Sequence, residues 1–437
     1  MFDDILWVGI DDTDSLMGGC TTHILFKLVQ RLEAMGYRAI RPSLVRLNPN
    51  VPWKTRGNGA LAVGVKMGRD GGSRGSQTPH GGADREMELA DLGRIEDAAR
   101  GEIDKLGMDG SDPGCVISRK RGPEWFYWNC VRGIVQKAEA QDVVDLIGAH
   151  VIVEGRGLIG ALAAISWPAT ERTYELIAYR MADKWGSRRY VDANSARMIE
   201  INFPETFDSF DLENGVQRIA PNSPCPVLYG IRGVDPNVLK RAKDVVKAED
   251  EDGWIIFESN QGTDDHLQKK TIWEIQDNES VITEGFLSQR PRRARGGHLF
   301  FEISDETGSI GCAAFEPTKG FRDYLASLVV GDRVRAWGGV KKGTINLEKI
   351  ELLDLITVYD VVNPTCPQCG RKMGSMGSGS GYRCTCGFKV AEDGAKTIKR
   401  ERAELGLYEV PVRARKHLSK PVKLMPKNLY SSCLSIR

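Results

Sequence analysis

The feature that most restricts the fold lies near the end of the chain: Cys366-x-x-Cys369, fourteen residues rich in Gly and Ser, then Cys384-x-Cys386-Gly387. A segment so short and so poor in apolar side chains cannot build a core of its own, so it folds only around something that replaces one. Four thiolates on two short knuckles supply a tetrahedral zinc site, and a closed four-sulfur shell makes that zinc structural. The second knuckle is one residue shorter than the usual Cys-x-x-Cys, so a strained ligand or a shared fourth position is expected. Cys20, Cys115, Cys130, Cys225, Cys312 and Cys433 are scattered as core thiols usually are, a pattern of a reducing compartment and not of a disulfide framework.

The 437 residues are enough for about three domains, and 60 Lys+Arg against 59 Asp+Glu leave no global field. Nucleic-acid contact must therefore come from local basic patches, which excludes a basic coat protein. Met1-Phe2-Asp3-Asp4 lacks the cationic start of a signal peptide, and no apolar run approaches the roughly 18 residues of a membrane span, so a cytoplasmic protein without membrane contact is expected.

Leu6 to Ile10 is a short apolar run bounded by acidic residues, a buried strand, and Ile24 to Met35 has helical spacing. Gly68 to Asp84 is polar and Gly-rich without periodicity, expected as a long loop or disordered insertion. After an amphipathic helix from Glu86 to Leu106, apolar strands and helices alternate to about residue 250, the pattern of α/β and α+β folds. Five β-like runs follow, Val281–Leu287, Leu299–Ser304, Ser309–Phe315, Arg333–Val340 and Thr344–Leu347, with one helix at Lys319–Leu328, which predicts an all-β OB-fold barrel. From Lys389 to Arg437 the chain holds 12 Lys+Arg against 5 Asp+Glu, a local positive patch.

Gly9-Ile10-Asp11-Asp12-Thr13-Asp14-Ser15 stands where the first strand ends and a loop opens toward a helix, the place where α/β folds hold ligands. Asp11, Asp12 and Asp14 repel one another unless a hard cation such as Mg²⁺, itself bridging the phosphates of ATP, sits among them. An Asp-rich turn or helix cap is the plain alternative. Gly18-Gly19-Cys20-Thr21-Thr22 then feeds hydroxyls to a helix start that favours phosphate, although Thr21 and Thr22 serve equally as caps. In Pro52-Trp53-Lys54-Thr55-Arg56-Gly57-Asn58-Gly59, two cations and an amide precede the apolar run Ala60 to Val65; they can neutralise phosphate charge or simply face solvent.

Gly155-Arg156-Gly157-Leu158-Ile159-Gly160 matches G-x-G-x-x-G, but no βαβ unit surrounds it and Pro168 cuts the helix short, so it reads as a tight-packing turn. No G-x-x-x-x-G-K-[ST] occurs, and an ATP site here is non-Walker. Two polar islands remain, Pro226 to Gly233 and Ser259 to His266. The second sets Asn260, Gln261, Asp264, Asp265 and His266 side by side, either a hydrogen-bonded surface loop or a pocket for a small polar or cationic substrate. On the barrel, Phe300, Phe301 and Phe315 offer base stacking or core packing, and Arg290, Arg292, Arg293 and Arg295 lie along an Arg-rich loop suited to RNA.

In combination these residues resemble the archaeal agmatinylcytidine (agmatidine) synthetases of the minor isoleucine tRNA, over essentially the whole length apart from the Gly-rich insertion. The likeness rests on Gly9 to Ser15 with Cys20-Thr21-Thr22, on Pro52 to Asn58, Pro226 to Gly233 and Asn260 to His266, and on the order of barrel and ribbon. It implies a multidomain fold: a kinase-like domain (expected at 1–150), a ferredoxin-like domain (151–275), an OB-fold (276–358) and a zinc ribbon with basic tail (359–437). It also implies a ligase that joins agmatine to C2 of the wobble cytidine in a CAU anticodon, so that AUA is read as isoleucine, with ATP yielding AMP and pyrophosphate. The C2 oxygen would be phosphorylated for displacement by the amine, and Thr21 would itself accept phosphate. Under this reading Asp11, Asp12 and Asp14 hold Mg²⁺, and Gly18, Gly19, Thr22, Lys54, Arg56 and Asn58 steady ATP. Zn²⁺ sits structurally on Cys366, Cys369, Cys384 and Cys386, whose short second knuckle departs from the commoner spacing.

Two other readings compete. An ATP-dependent RNA ligase needs a nucleophilic Lys in K-x-D-G, and the chain has none. A non-enzymatic RNA scaffold would make the Asp-rich turn structural and bind no nucleotide.

Overall fold

The computed structural model describes residues 5–67, 83–391 and 396–426. The Gly-rich stretch from Gly68 up to residue 82, Cys433 and the last part of the basic tail lie outside them. Among the described residues no helix is long and apolar enough to cross a membrane.

Strand β1 (Ile5–Asp11) runs through the middle of the first half, and its alternation decides the layering. Val8 and Ile10 point to one face, into a core with α1 (Thr21–Ala34). Trp7 points to the other, into a second core. A strand covered on both sides reads as the continuous apolar run seen in the sequence. The strands β2 (Tyr37–Arg46) and β3 (Gly59–Met67) follow, then α2 (Ala83–Leu106), β4 (Gly114–Ser118), α3 (Glu124–Arg132), α4 (Lys137–Ile147), β5 (His150–Glu154) and α5 (Gly157–Ser166). Helix α5 lies directly against β1: a Cβ on Gly9 would stand 2.3 Å from the Ala161 carbonyl oxygen, so only glycine permits the approach.

The second half is β6 (Thr173–Arg180), α6 (Ala193–Asn202), β7 (Thr206–Phe207), a small hairpin of β8 (Phe210–Asp211) and β9 (Val216–Gln217), β10 (Val227–Gly233), α7 (Pro236–Lys243) and β11 (Glu251–Ser259). Its strands stand in the order β11-β6-β10-β7, the ferredoxin-like arrangement. A parallel pairing of β11 with β2, through Glu258 with Ser43 and Ser259 with Leu44, fuses the halves into one nine-stranded sheet, β5-β4-β1-β3-β2-β11-β6-β10-β7. The expected divide at 150–151 falls inside β5, which is paired to β4, and α5 and Trp167 belong to the core of the first half. The apolar run Val151 to Val153 opens no new core; it adds an edge strand to an existing sheet.

After β12 (Leu267–Lys269), five strands close a barrel: β13 (Ser280–Arg293), β14 (Leu299–Ser304), β15 (Ser309–Ala314), β16 (Arg333–Lys341) and β17 (Thr344–Asp354). β17 pairs β15 in parallel and β16 antiparallel, and β16 returns to β13, the closure of an OB-fold, with α8 (Phe321–Ala326) inserted after β15. β18 (Tyr359–Val362) leads to the ribbon, whose short strands are β19 (Gly374–Ser375), β20 (Tyr382–Arg383) and β21 (Lys389–Val390). β22 (Lys396–Lys399) pairs back onto β18, and β23 (Gly406–Glu409) joins the barrel beside β17.

The segment after β23 does not hang free as a basic tail. It returns across the molecule to the first half, where Leu418 is buried in the core with Trp7 and Val45. Its cations are paired on the way: Arg415 with Asp208 and Glu409, Lys416 with Glu348, Lys420 with Glu171 and Lys423 with Glu200. The positive patch expected from composition is thus largely neutralised, because the acidic partners come from distant parts of the chain.

Candidate active site

A cleft of about 680 Å³ opens where the ends of β1 and β2 meet β6 and β10. Asp11 closes β1, and Asp12 then turns with φ +54°, a left-handed conformation that Asp tolerates. Ser15 and Gly18 bridge a tight turn, and the chain enters α1 at Thr21. Helix α1 has no side-chain cap and no acidic residue in its first turn, so its positive end is open to an anion. Thr21 is tied to the buried Thr13 by a 3.0 Å hydroxyl hydrogen bond, and Thr22 contacts the Cys20 Sγ at 2.9 Å.

The carboxylates carry signs of uncompensated charge. Burial pushes Asp11 up to about 8; a backbone hydrogen bond from Asp12 opposes this, and the charges of Asp12 and Asp14 add to it. Asp12 rises to about 6 through burial and the neighbouring Asp14 and Asp112, against Arg156. Asp14 is raised by burial in spite of Arg56, which stands 3.3 Å away. A bound cation would relieve all three, and oxygen donors of this kind suit a hard ion such as Mg²⁺. The three do not, however, converge as ligands of one ion. Among the described residues only the cysteine quartet brings three or more such donor atoms within 4.8 Å of one another. Magnesium commonly takes one or two carboxylates with phosphate oxygens and waters, so a subset suffices. The G-x-G-x-x-G segment serves this place as packing: a Cβ on Gly160 would fall 1.8 Å from the Asp11 Oδ2, and one on Gly157 2.4 Å from the Asp11 carbonyl.

Arg56, expected at a phosphate, is occupied by the loop itself. Its guanidinium donates to the carbonyls of Ser15 (2.7 Å), Gly18 (2.9 Å) and Gly19 (2.9 Å). It is the clamp that shapes the acidic turn, and Gly18 and Gly19 present carbonyls to it. Asn58, at φ +46°, donates to the Asn48 carbonyl at 2.8 Å and holds its own turn while lining the cleft. Lys54 lines the cleft beside the Pro49 carbonyl and is lowered from its ordinary value by burial and by Lys416 and Lys341.

The island of Asn260, Gln261, Asp264, Asp265 and His266 does not line the cleft. It forms a buried joint. Asn260 bridges both backbone groups of Arg46 (2.7 and 2.9 Å) and the Tyr127 hydroxyl, which in turn donates to Asp265 at 2.5 Å. Asp264 receives Lys349 of the barrel at 2.7 Å, and His266 meets Glu348 at 3.1 Å. Gln261 donates to Glu175 at 2.5 Å and so positions a carboxylate that does face the cleft. Sequence reasoning missed Glu175, Arg46, Arg218, Arg232, Asp112 and His417 as cleft residues. For Arg46 and Arg232 a signal existed, a cation at the end or on the polar phase of a strand. For His417 there was none.

Arg290, Arg292 and Arg293 lie on the last turns of β13 and not in a loop; register shifts after Leu287 and Gln289 let the strand continue past the barrel rim. Arg290, Arg292 and Arg295 are exposed, while Arg293 pairs with Asp323 at 2.5 Å. Phe300, half-buried, faces Phe315 edge-on at 6.2 Å, whereas Phe301 is core. In the ribbon the Sγ atoms of Cys366 and Cys386 lie 3.6 Å apart and those of Cys369 and Cys384 3.3 Å. Tetrahedral zinc with Zn–S of about 2.3 Å requires about 3.8 Å, so the quartet fits zinc after a small expansion, the short knuckle notwithstanding.

An acidic turn and open helix end in an α/β cleft, joined to a barrel and a ribbon, define a nucleic-acid-handling enzyme that keeps its chemistry apart from its gripping modules. Residues 7–155 match the TiaS TCKD domain, 155–266 the TiaS FLD domain, 281–353 the OB-fold nucleic acid binding domain and 363–403 the TiaS C-terminal zinc ribbon domain. The isoleucine-tRNA 2-agmatinylcytidine synthetase TiaS of Methanocaldococcus jannaschii is 39% identical over 438 residues, covering 96% of this chain and 99% of the relative. The TiaS chain in a complex of that enzyme with its isoleucine tRNA and ATP superposes with a TM-score of 0.81 at 38% identity, covering 97% and 98% of the two chains. The TiaS chain in a complex with the same tRNA, AMPCPP and agmatine gives 0.79 at 36%, covering 97% and 98%. The chain belongs to the TiaS family of isoleucine-tRNA 2-agmatinylcytidine synthetases.

Proposed function

We propose that this chain, working in the cytoplasm, joins agmatine to C2 of the wobble cytidine in the CAU anticodon of the minor isoleucine tRNA at the expense of ATP. The observation that carries the reading is the union, in one chain matching TiaS enzymes end to end, of all four modules with a cleft whose acidic turn faces an open helix N-terminus. The C2 oxygen is a poor leaving group until it carries phosphate. An ATP-derived phosphoryl group on that oxygen lets the agmatine amine form the C2–N bond while the C2–O bond breaks and phosphate departs.

In our assignment Asp11 and Asp12, with Asp14 beside them, would hold Mg²⁺, which supplies charge neutralisation at the phosphates when bound. The N-terminus of α1 with Thr22 receives a phosphate, and Lys54 adds a cation. Thr21, at the first position of that helix, is the hydroxyl placed to accept phosphate. Arg56 acts by holding the turn in shape. Exposed Arg290, Arg292 and Arg295 and the edge of Phe300 grip RNA, and zinc on the four cysteines holds the ribbon in form. Incubating unmodified CAU-anticodon isoleucine tRNA with the protein, ATP and labelled agmatine tests the proposal; a wobble cytidine without label refutes it.

A further inference from the structure

One wall of the cleft holds more positive charge than the protein answers. Arg46, Lys54, Arg218 and Arg232 line it, and the carboxylate among them, Glu175, is already shared by Arg46 at 3.7 Å, Arg232 at 3.3 Å and Gln261. The other described carboxylates lining the cleft belong to the turn after β1 and to Asp112 before β4, and Asp14 there is taken by Arg56. Four cations against one carboxylate that has all its partners is a surplus that an anionic ligand would balance.

His417 reaches the same wall from the far end of the chain. The strap that carries it is fixed by backbone hydrogen bonds, Gly262 donating to the His417 carbonyl at 2.9 Å and Asp264 to that of Leu418 at 2.8 Å, and by the burial of Leu418. Gly57 makes room for the ring: a Cβ there would stand 3.2 Å from its Nε2 and Cδ2. Among the described residues neither ring nitrogen has a hydrogen-bond partner, and Nδ1 is buried, so Nε2 is the one open to the cleft. Burial first, then Arg46, Arg232, Lys54 and Arg218, hold the imidazole well below its ordinary value. A neutral ring among cations contributes a hydrogen bond and no further charge, which is how a crowded anion site gains a directional contact without added repulsion.

We propose that Arg46, Lys54, Arg218, Arg232 and His417 form a phosphate-binding subsite separate from the acidic turn, completed by the C-terminal strap, and taking a phosphate either of ATP or of the RNA backbone. The proposal rests on the reading given under Proposed function. Glu175 with its partners presets the two deeper arginines, and the strap ties the subsite to the barrel through Lys349–Asp264 and Lys416–Glu348.

The test uses the full-length, zinc-loaded protein and the variants Arg218→Gln, His417→Ala and His417→Asn, with melting temperature recorded for each. Affinity for Mg·ATP is measured without tRNA, and affinity for CAU-anticodon tRNA without ATP over a salt series. Arg218→Gln and His417→Ala should each weaken the same ligand by roughly tenfold, and His417→Asn should restore most of the loss to His417→Ala. If that ligand is tRNA, the salt slope also falls by about one for Arg218→Gln; if ATP, tRNA binding and its slope stay as in wild type. Affinities for both ligands within twofold of wild type in either Arg218→Gln or His417→Ala overturn the subsite. Agmatine transfer by the wild-type protein, run in parallel, reports separately on the functional reading, since a transfer-negative wild type with intact binding differences fails that reading alone.

Discussion

Replacing Arg56 by Ala removes the clamp on the acidic turn. The side chain is 24% exposed and donates three hydrogen bonds to the carbonyls of Ser15, Gly18 and Gly19, besides facing Asp14. Bonds from a charged donor contribute about 1.5–3 kcal/mol each when well buried; with water able to replace part of them, about 1 kcal/mol each is the appropriate figure, or about 3 kcal/mol for the set. The turn is a local element, so this loss falls on its ordering and not on the whole fold, and it corresponds to a reduction in kcat/KM of roughly a hundred- to two-hundredfold. Arg56→Lys keeps the charge but not the fork that meets three carbonyls, and should recover only part of it. Steady-state agmatine incorporation into tRNA, with thermal melting alongside, is the assay. An Arg56→Ala protein within threefold of wild type would refute the clamp.

Lys349→Met should destabilise the protein by about 3 kcal/mol, because it strands Asp264 in the joint between barrel and sheet; the urea midpoint reads this, and an unchanged midpoint contradicts it. Asp11, raised to about 8, and Asp12, raised to about 6, bind protons in the folded state that the unfolded chain has already released. Stability of the metal-free protein should therefore fall as pH rises from about 4 to 8, and Mg²⁺ should raise the melting temperature more at pH 8 than at pH 6; equal increments at both would count against the assignment. Chelating zinc should unfold the ribbon and weaken tRNA binding while leaving Mg·ATP affinity intact, as followed by tRNA and ATP titrations on the same sample.

What the sequence disclosed was what local pattern encodes. The run Leu6 to Ile10, the five barrel strands and the cysteine spacing each follow from neighbours a few residues apart, and each was found where expected. The acidic turn was legible for the same reason. What stayed hidden depends on partners far along the chain. Asn260 to His266 looked like a surface island because its partners, Tyr127, Lys349 and Glu348, come from other segments. Arg415 and Lys423 looked like a basic patch until the fold brought Asp208 and Glu200 to them. Arg56 looked like a free cation beside a triphosphate, since nothing in Lys54-Thr55-Arg56 shows that the carbonyls of residues 15–19 would claim it.

The account stands on the acidic end of β1 gripping a divalent ion with its nucleotide beside Thr21. Calorimetric titration of ATP into wild type and Asp12→Asn, each with and without Mg²⁺, addresses this directly. Tight binding by wild type that depends on Mg²⁺, and at least tenfold weaker binding by the variant in Mg²⁺, is the expected result. Equal affinities in the two proteins, or binding by wild type that is indifferent to the metal, would contradict it.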